Sequence, residues 1–144
     1  MNMKFFVLSR LLSSTTTLLA SGYVAFALSI ISIQLKAWQS LTFWILICLV
    51  FILCAIHHYI SIRVKFDADI LSTLAQQSKQ QNENDLTQAL DHSLLYFKLM
   101  PQNKAGRDWD LRFQGCLKLF KIQMTFVVMQ YIVLITLIFK LLAQ

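Results

Sequence analysis

Three long stretches without any Lys, Arg, Asp or Glu constrain the fold of this chain most. They cover residues 11–35, 37–62 and 122–139, and they are 25, 26 and 18 residues long. A helix needs about 20 predominantly apolar residues to cross a bilayer. The sequence therefore predicts an all-α integral membrane protein with three transmembrane helices. We place these helices at residues 11–35, 41–62 and 122–142.

The composition excludes several other classes of protein. Apolar residues make up 57% of the 144 residues and charged residues 14%, whereas soluble domains have about 45–50% and about 25%. An outer-membrane barrel needs strands of about ten residues with alternating polarity, and the apolar runs here are continuous. Three cysteines without a Cys-x-x-Cys pair provide neither a disulfide framework nor a zinc motif.

The positive charges predict how the chain crosses the membrane. Nine of the 13 Lys and Arg residues lie in residues 63–121, two lie in residues 1–10, and the others are Lys36 and Lys140. Cytoplasmic segments carry the excess of Lys and Arg. We therefore expect a multi-pass protein of the bacterial inner (plasma) membrane, with residues 1–10 and 63–121 in the cytoplasm. The short turn at residues 36–40 is then external and the C-terminus is periplasmic.

A cleaved signal peptide is an alternative interpretation of the N-terminal region. Ala25-Phe26-Ala27 has the small-x-small form of a cleavage site, and Lys4 supplies a positive charge before it. Arg10 and the Ser/Thr run after it interrupt the apolar region that such a peptide needs. Cleavage would also leave too few apolar residues before Lys36 to span a bilayer.

The segment from 63 to 121 has the periodicity of helices. We expect the second span to continue to Ala75, a separate helix from Asp85 to Leu99 that ends before Pro101, and a helix from Trp109 into the third span. These three helices would pack into a small cytoplasmic cap. The middle helix carries an apolar stripe at helical spacing, which we predict to be a partner-docking surface. The stripe consists of Leu86, Leu90, Leu94 and Phe97.

His57 and His58 are ionisable residues inside the second predicted span, close to its cytoplasmic end. Ionisable groups at such positions are candidates for function. We considered them as cofactor ligands, although a metal or haem site needs further ligands at coordinating distance. The alternative is a neutral imidazole at headgroup level without a special role. We predict no cofactor, no metal site and no catalytic residue.

Small and polar residues in the spans predict where helices pack. Residues of the first span with small side chains lie on one face, where another helix can approach closely. Gln130 is the strongly polar residue that we identified in the third span, and we expect it to bond to the first helix or to another subunit. The predicted helix-packing residues are Ser21, Gly22, Ala25, Ser29 and Gln130.

These observations favour a non-enzymatic accessory or assembly subunit of an inner-membrane complex, which would dock partners through its cytoplasmic helices and the small-residue face of its first span. Its expected partners are the lipid bilayer and either other membrane-protein subunits or further copies of itself. We expect no nucleic acid as a partner, because no basic stripe with interleaved aromatic residues occurs. A pore-forming, holin-like oligomer is an alternative, and a small membrane-anchor subunit of a respiratory or transport complex is a third interpretation.

Overall fold

The computed structural model describes residues 2–35, 41–77 and 83–142. It contains five α-helices, a short 3₁₀ helix and no strand within those ranges. The predicted external turn at residues 36–40 lies outside the described residues. The polar residues 78–82, between α3 and α4, also lie outside them. The helices are α1 (Asn2–Ser13), α2 (Thr15–Gln34), α3 (Leu41–Gln77), α4 (Glu83–Tyr96) and α5 (Trp109–Leu142), and the 3₁₀ helix is Gln102–Lys104.

Three helical stretches are long and apolar enough to cross a membrane, as the sequence predicted. They are Met3–Gln34, Trp44–Gln77 and Trp109–Lys140, of 32, 34 and 32 residues. Each is longer than the predicted span, because α1 and α2 are separated only by Ser14, and because α3 and α5 continue past the charge-free runs without a break.

The chain divides into two compact units, which we describe separately. The bundle unit consists of Ser14–Lys65 and Leu119–Gln144, and the loop unit consists of Met1–Ser13 and Phe66–Lys118. The outer surface of the bundle unit is rich in exposed apolar side chains, such as Val24, Phe51 and Ile132, whereas several polar side chains are buried in its interior. This distribution is typical of a helical bundle surrounded by lipid.

Contacts within the bundle unit give the direction of its three helices. Thr15 of α2 contacts Gln123 of α5, which also contacts Ser61 of α3. Further along α2, the Phe26 ring packs edge-on against Phe51, with 5.2 Å between the ring centroids. Along α2 from Thr15 to Phe26, the neighbouring residue of α3 changes from Ser61 to Phe51, so α3 runs antiparallel to α2. The far end is an apolar cluster around Ile33, Val50 and Leu137, which makes α5 parallel to α2.

Helix α1 is an element of the loop unit that the sequence analysis did not predict. Its Phe5, Leu8 and Leu12 are buried and lie on one helical face at spacings of three and four residues. Phe5 packs edge-on against Trp109 and Phe113 of α5, at centroid distances of 4.7 and 5.3 Å. The predicted cap of three helices from residues 63–121 did not include α1, and the cap itself stays a prediction.

Helix α4 ends earlier than the predicted boundary at Leu99. Lys98 has a φ of 55°, and its N–H donates to the Leu95 carbonyl while the Leu99 N–H donates to the Leu94 carbonyl. This pair of bonds is the Schellman motif, which satisfies the last carbonyls of a helix. The helix therefore ends before Pro101, and the proline does not determine where it ends. Phe97 follows the last helical residue, and its ring is exposed.

A charged cluster joins α4 to the start of α5 within the loop unit. The Arg112 guanidinium donates to both Asp91 carboxylate oxygens, at 2.7 and 2.8 Å, and the Gly106 N–H donates to Oδ2 at 2.8 Å. The two side chains are 15% and 10% exposed. The Arg112 guanidinium lowers the pKa of Asp91, burial opposes this shift, and the Gly106 N–H reinforces it. We call Asp91, Gly106 and Arg112 the clasp.

Candidate functional site

A column of polar side chains runs through the interior of the bundle unit and is its most distinctive chemical feature. The polar members are each at most 5% exposed. Two turns of an α-helix return a side chain almost to the same face, so residues seven apart on α2 and on α5 form successive layers. We call this column the polar seam, and it consists of Thr15, Gly22, His57, Ser61, Gln123 and Gln130.

The first layer of the polar seam is fully hydrogen-bonded. Thr15 Oγ1 donates to Gln123 Oε1 at 2.6 Å. The Gln123 amide nitrogen donates to Ser61 Oγ at 2.9 Å and to the Thr15 carbonyl at 3.3 Å. Ser61 Oγ in turn donates to the His57 carbonyl at 2.8 Å. The side chain of Gln123 thus links α2, α3 and α5, which is how polar side chains hold membrane helices together.

The second layer contains groups of the same type but lacks this complete pairing. His57 and Gln130 are 2% and 5% exposed. Within the described part of the chain, neither His57 Nε2 nor either amide atom of Gln130 has a hydrogen-bond partner. The α2 member of this layer is Gly22, and a Cβ atom there would overlap the His57 ring and lie 2.8 Å from Gln130 Oε1. Gly22 is therefore the residue that makes room for His57.

The predicted small-residue face of the first span is used inside this chain. Gly22, Ala25 and Ser29 are buried, and Ser29 lies with Gln130 along one small cavity of the bundle unit. Ser21 is half-buried and its Oγ lies 2.9 Å from the Tyr131 hydroxyl of α5. The helix that approaches this face within the monomer is thus the chain's own α3 or α5. That this face also docks another subunit stays a prediction.

The two histidines of α3 have different surroundings. His58 is exposed, and its Nδ1 lies 2.7 Å from the Tyr23 hydroxyl. His57 is buried in the polar seam, so its ring faces the other helices of the bundle unit, and its depth in a bilayer stays a prediction. The ring is buried because Gly22 leaves space for it between the helices. Among the described residues, no three His, Cys, Asp or Glu side chains are grouped as metal ligands. Whether either histidine binds a cofactor stays untested.

Gln123 is the residue of the polar seam that the sequence analysis missed. Gln130 was identified as the one strongly polar residue of the third span, although Gln123 lies in the predicted span 122–142 as well. The signal that identifies it is spacing, because Gln123 precedes Gln130 by two helical turns and Thr15 precedes Gly22 by the same interval.

The loop unit contains a groove between α1 and α3. Its walls on α1 include exposed Met3 and Phe6, and its α3 side presents small side chains at Ala68, Ser72 and Ala75. Arg10 lies on the α1 wall and Asp69 on the α3 wall. The groove has a volume of about 750 Å³. We call it the α1–α3 groove.

The predicted docking stripe of α4 is divided among different environments. Leu86 is buried, Leu90 and Leu94 are half-buried, and Phe97 is exposed. Leu86 and Leu90 line a second groove with α3, beside Ile70 and Leu74. Because α3 already covers one side of the stripe, Phe97 is the member most accessible to a partner.

The chain has no match among protein-family models, curated proteins or solved structures.

Proposed function

We propose that this protein is a non-enzymatic accessory or assembly subunit of a bacterial inner-membrane complex. The loop unit docks a helix of a partner membrane protein in the cytoplasm, and the three apolar helices anchor the chain in the bilayer. One observation carries this proposal: the α1–α3 groove combines exposed apolar walls with a row of small side chains. Amphipathic helices bind in such grooves through their apolar face.

The chemistry of the α1–α3 groove favours a helix as its occupant. Ala68, Ser72 and Ala75 follow one another at helical spacing on α3, and small side chains allow a second helix to approach closely. Met3 and Phe6 provide apolar contact above them. Arg10 and Asp69 carry opposite charges on the two walls, so a helix with an acidic and a basic residue at matching positions would complement both.

The bundle unit favours this role over a holin-like pore. A pore assembled from several copies needs polar residues on the outer surface of each copy, where they can line the channel. Here the polar seam faces inwards and its first layer is satisfied within one chain, while the outer surface is rich in exposed apolar side chains. Five polar side chains converge in the polar seam, which is also a feature of transport pathways through membrane proteins. The cavity beside Gln130 is nevertheless only about 10 Å³.

The signal-peptide alternative also conflicts with this use of the N-terminal region. Cleavage after Ala27 would remove Thr15 and Gly22 from the polar seam and all of α1 from the loop unit. Gln123 would then lose the hydroxyl that donates to it. In this proposal, residues 2–35 are therefore not cleaved and belong to the functional protein.

Site-specific photo-crosslinking in native membranes tests the proposed docking. We expect a photoreactive residue at Phe6, in the α1–α3 groove, to crosslink to one discrete membrane protein. The crosslink should disappear when Ser72→Arg obstructs the groove. Leu111 is the matched control, because it is a similarly exposed apolar residue of the loop unit that does not line the groove, and it should not capture the same protein.

Two results would contradict the proposal. A ladder of crosslinks between copies of this chain would favour the oligomeric pore. Capture of the same protein from Phe6 and Leu111, unaffected by Ser72→Arg, would show that the α1–α3 groove is not the docking surface.

A further inference from the structure

The unpaired atoms of Gln130 mark a place in the bundle unit where a ligand is needed. Buried polar atoms in folded proteins are nearly always hydrogen-bonded, and leaving one unsatisfied costs about 1–3 kcal/mol. Neither the amide oxygen nor the amide nitrogen of Gln130 meets hydrogen-bond geometry with a partner within the described residues, although the His57 ring is close enough to interact with this side chain. Its side chain is buried, so bulk solvent does not supply the partner.

Gln123 provides an internal comparison for Gln130. Both are glutamines of α5, two turns apart, in the same seam. In the first layer, Thr15 supplies a hydroxyl that donates to Gln123 and a carbonyl that accepts from it. In the second layer the corresponding α2 residue is Gly22, which has no hydroxyl, because the His57 ring occupies that space. The second layer therefore lacks one small hydrogen-bonding group.

A cavity of the right size lies beside Gln130. Its volume of about 10 Å³ is bounded partly by Gln130 and Ser29 and otherwise by apolar side chains. A water molecule needs roughly 10–15 Å³ of such space and two to four polar partners. The same volume is too small for a cofactor or for an ion with its hydration shell.

Ser29 supplies the second polar partner. Its Oγ donates to the Ala25 carbonyl at 2.8 Å, which leaves the oxygen lone pairs free to accept a hydrogen bond. We propose that the cavity between Gln130 and Ser29 is a binding site for one internal water molecule. The water donates to Ser29 Oγ and pairs with the Gln130 amide, so it takes the part that the Thr15 hydroxyl plays for Gln123. His57 does not line this cavity, and the site does not include it.

NMR spectroscopy of the full chain in detergent micelles, with ¹⁵N-labelled glutamine side chains, tests this proposal. We expect the Gln130 side-chain amide to show a cross-peak to water through the nuclear Overhauser effect. The Gln123 amide, which is equally buried but paired with protein groups, should show none. Gln130→Met identifies the Gln130 signals by removing them.

A cavity-filling variant separates a bound water from other sources of the signal. Val133→Leu adds volume at the cavity wall and should abolish the cross-peak between water and Gln130. The Gln123 amide signals should stay unchanged, which confirms that the bundle unit remains folded.

Three outcomes would overturn the proposal. The first is a Gln130 amide without a water cross-peak. The second is a Gln123 amide with an equal one, which would indicate general water penetration into the bundle unit. The third is scalar coupling across a direct hydrogen bond between His57 Nε2 and Gln130, which would show that the second layer pairs with itself.

Discussion

At the scale of single residues, Gly22 is the position where the bundle unit has least freedom. Its missing side chain leaves the space that the His57 ring fills, and Gln130 Oε1 is the next neighbour. Both the His57 ring and the Gln130 side chain that a Cβ atom at Gly22 would meet are buried. A side chain on Gly22 therefore cannot be accommodated by a local shift of one flexible group.

We expect Gly22→Ala to destabilise the protein by about 1–3 kcal/mol, the usual cost of overpacking a filled interior. The measurement is the thermal unfolding midpoint of the purified chain in mild detergent, which should fall. Gly115→Ala is the matched control. A Cβ atom there meets nothing within 4 Å, and Gly115 lies in the helical interior of α5, so this change should stabilise by about 0.5–1 kcal/mol. Equal effects of the two substitutions would contradict the tight packing at Gly22.

The residues of the polar seam could be recognised from the sequence only in part. Gly22 and Gln130 are identifiable because small and polar residues stand out in an apolar run. The contacts that these residues make cannot be identified in this way. Gly22 lies against His57 and Gln130, which are on other helices and distant in the sequence. Local periodicity gives the face on which a residue lies, but it contains no information on which helix covers that face.

At the scale of helices, the clasp determines how the end of α4 is held against the start of α5 in the loop unit. Asp91 and Arg112 form a bidentate pair with little exposure, and Arg112 also lies 5.0 Å from the Trp109 ring centroid. Lys4 and Asp110 form a second ion pair in the same unit, at 3.3 Å, with both side chains 66% exposed. Breaking a buried pair costs much more than breaking an exposed one.

We expect Asp91→Asn to destabilise the protein by about 3 kcal/mol, since it leaves the Arg112 charge without its partner in a partly buried site. Asp110→Asn, which breaks the exposed pair with Lys4, should cost less than about 1 kcal/mol. Thermal unfolding of both variants at neutral pH makes the comparison. A larger effect of Asp110→Asn would show that the clasp does not support the loop unit.

The clasp also predicts a pH dependence of definite sign. The pKa of Asp91 is lowered in the folded protein, mainly by Arg112. Its stabilisation is therefore complete above the ordinary aspartate pKa of about 3.9 and is lost as the pH falls through the lower pKa of the folded state. The difference in unfolding midpoint between the natural chain and Asp91→Asn should persist from about pH 7 to 5 and shrink below about pH 4. A difference that already disappears near pH 6 would contradict this assignment.

The helices themselves were largely predictable, and their ends were not. The continuous α3 and α5 follow from long apolar and amphipathic patterns. Helix α1 carries the same kind of pattern in Phe5, Leu8 and Leu12, but the sequence analysis used this segment only for the topology argument from its Lys and Arg residues. The end of α4 was misplaced because Pro101 is a strong stop signal, whereas Lys98 gives no indication of a left-handed backbone.

At the scale of the whole molecule, the ends of the bundle helices and the distribution of Lys and Arg predict how the chain is oriented in a membrane. Thr15, Ser61 and Gln123 lie at one level of the bundle unit, so residues preceding Thr15 and those between Ser61 and Gln123 leave the bundle unit at the same end. The excess of Lys and Arg in these two segments predicts that this end is cytoplasmic.

A reporter that is active only in the cytoplasm tests the orientation. We expect activity when the reporter is fused after Gln81 and no activity when it is fused after Gln144. Activity at both positions would show that the third apolar helix does not cross the membrane. The opposite pattern would show that the charge distribution does not set the orientation.

The position of Gln123 has a consequence for how the protein is made. Ser61 and Thr15 are synthesised well before the glutamine that bonds to both of them, since Gln123 comes 62 positions after Ser61 in the sequence. At about 5–20 residues per second, the first helical hairpin waits roughly 3–12 s for its polar partner. During this interval, Thr15 lacks its acceptor on Gln123. We therefore expect a stage in biogenesis at which α2 and α3 have formed but Gln123 has not yet been synthesised. At that stage an insertase or chaperone would have to cover the polar side chains of Thr15 and Ser61.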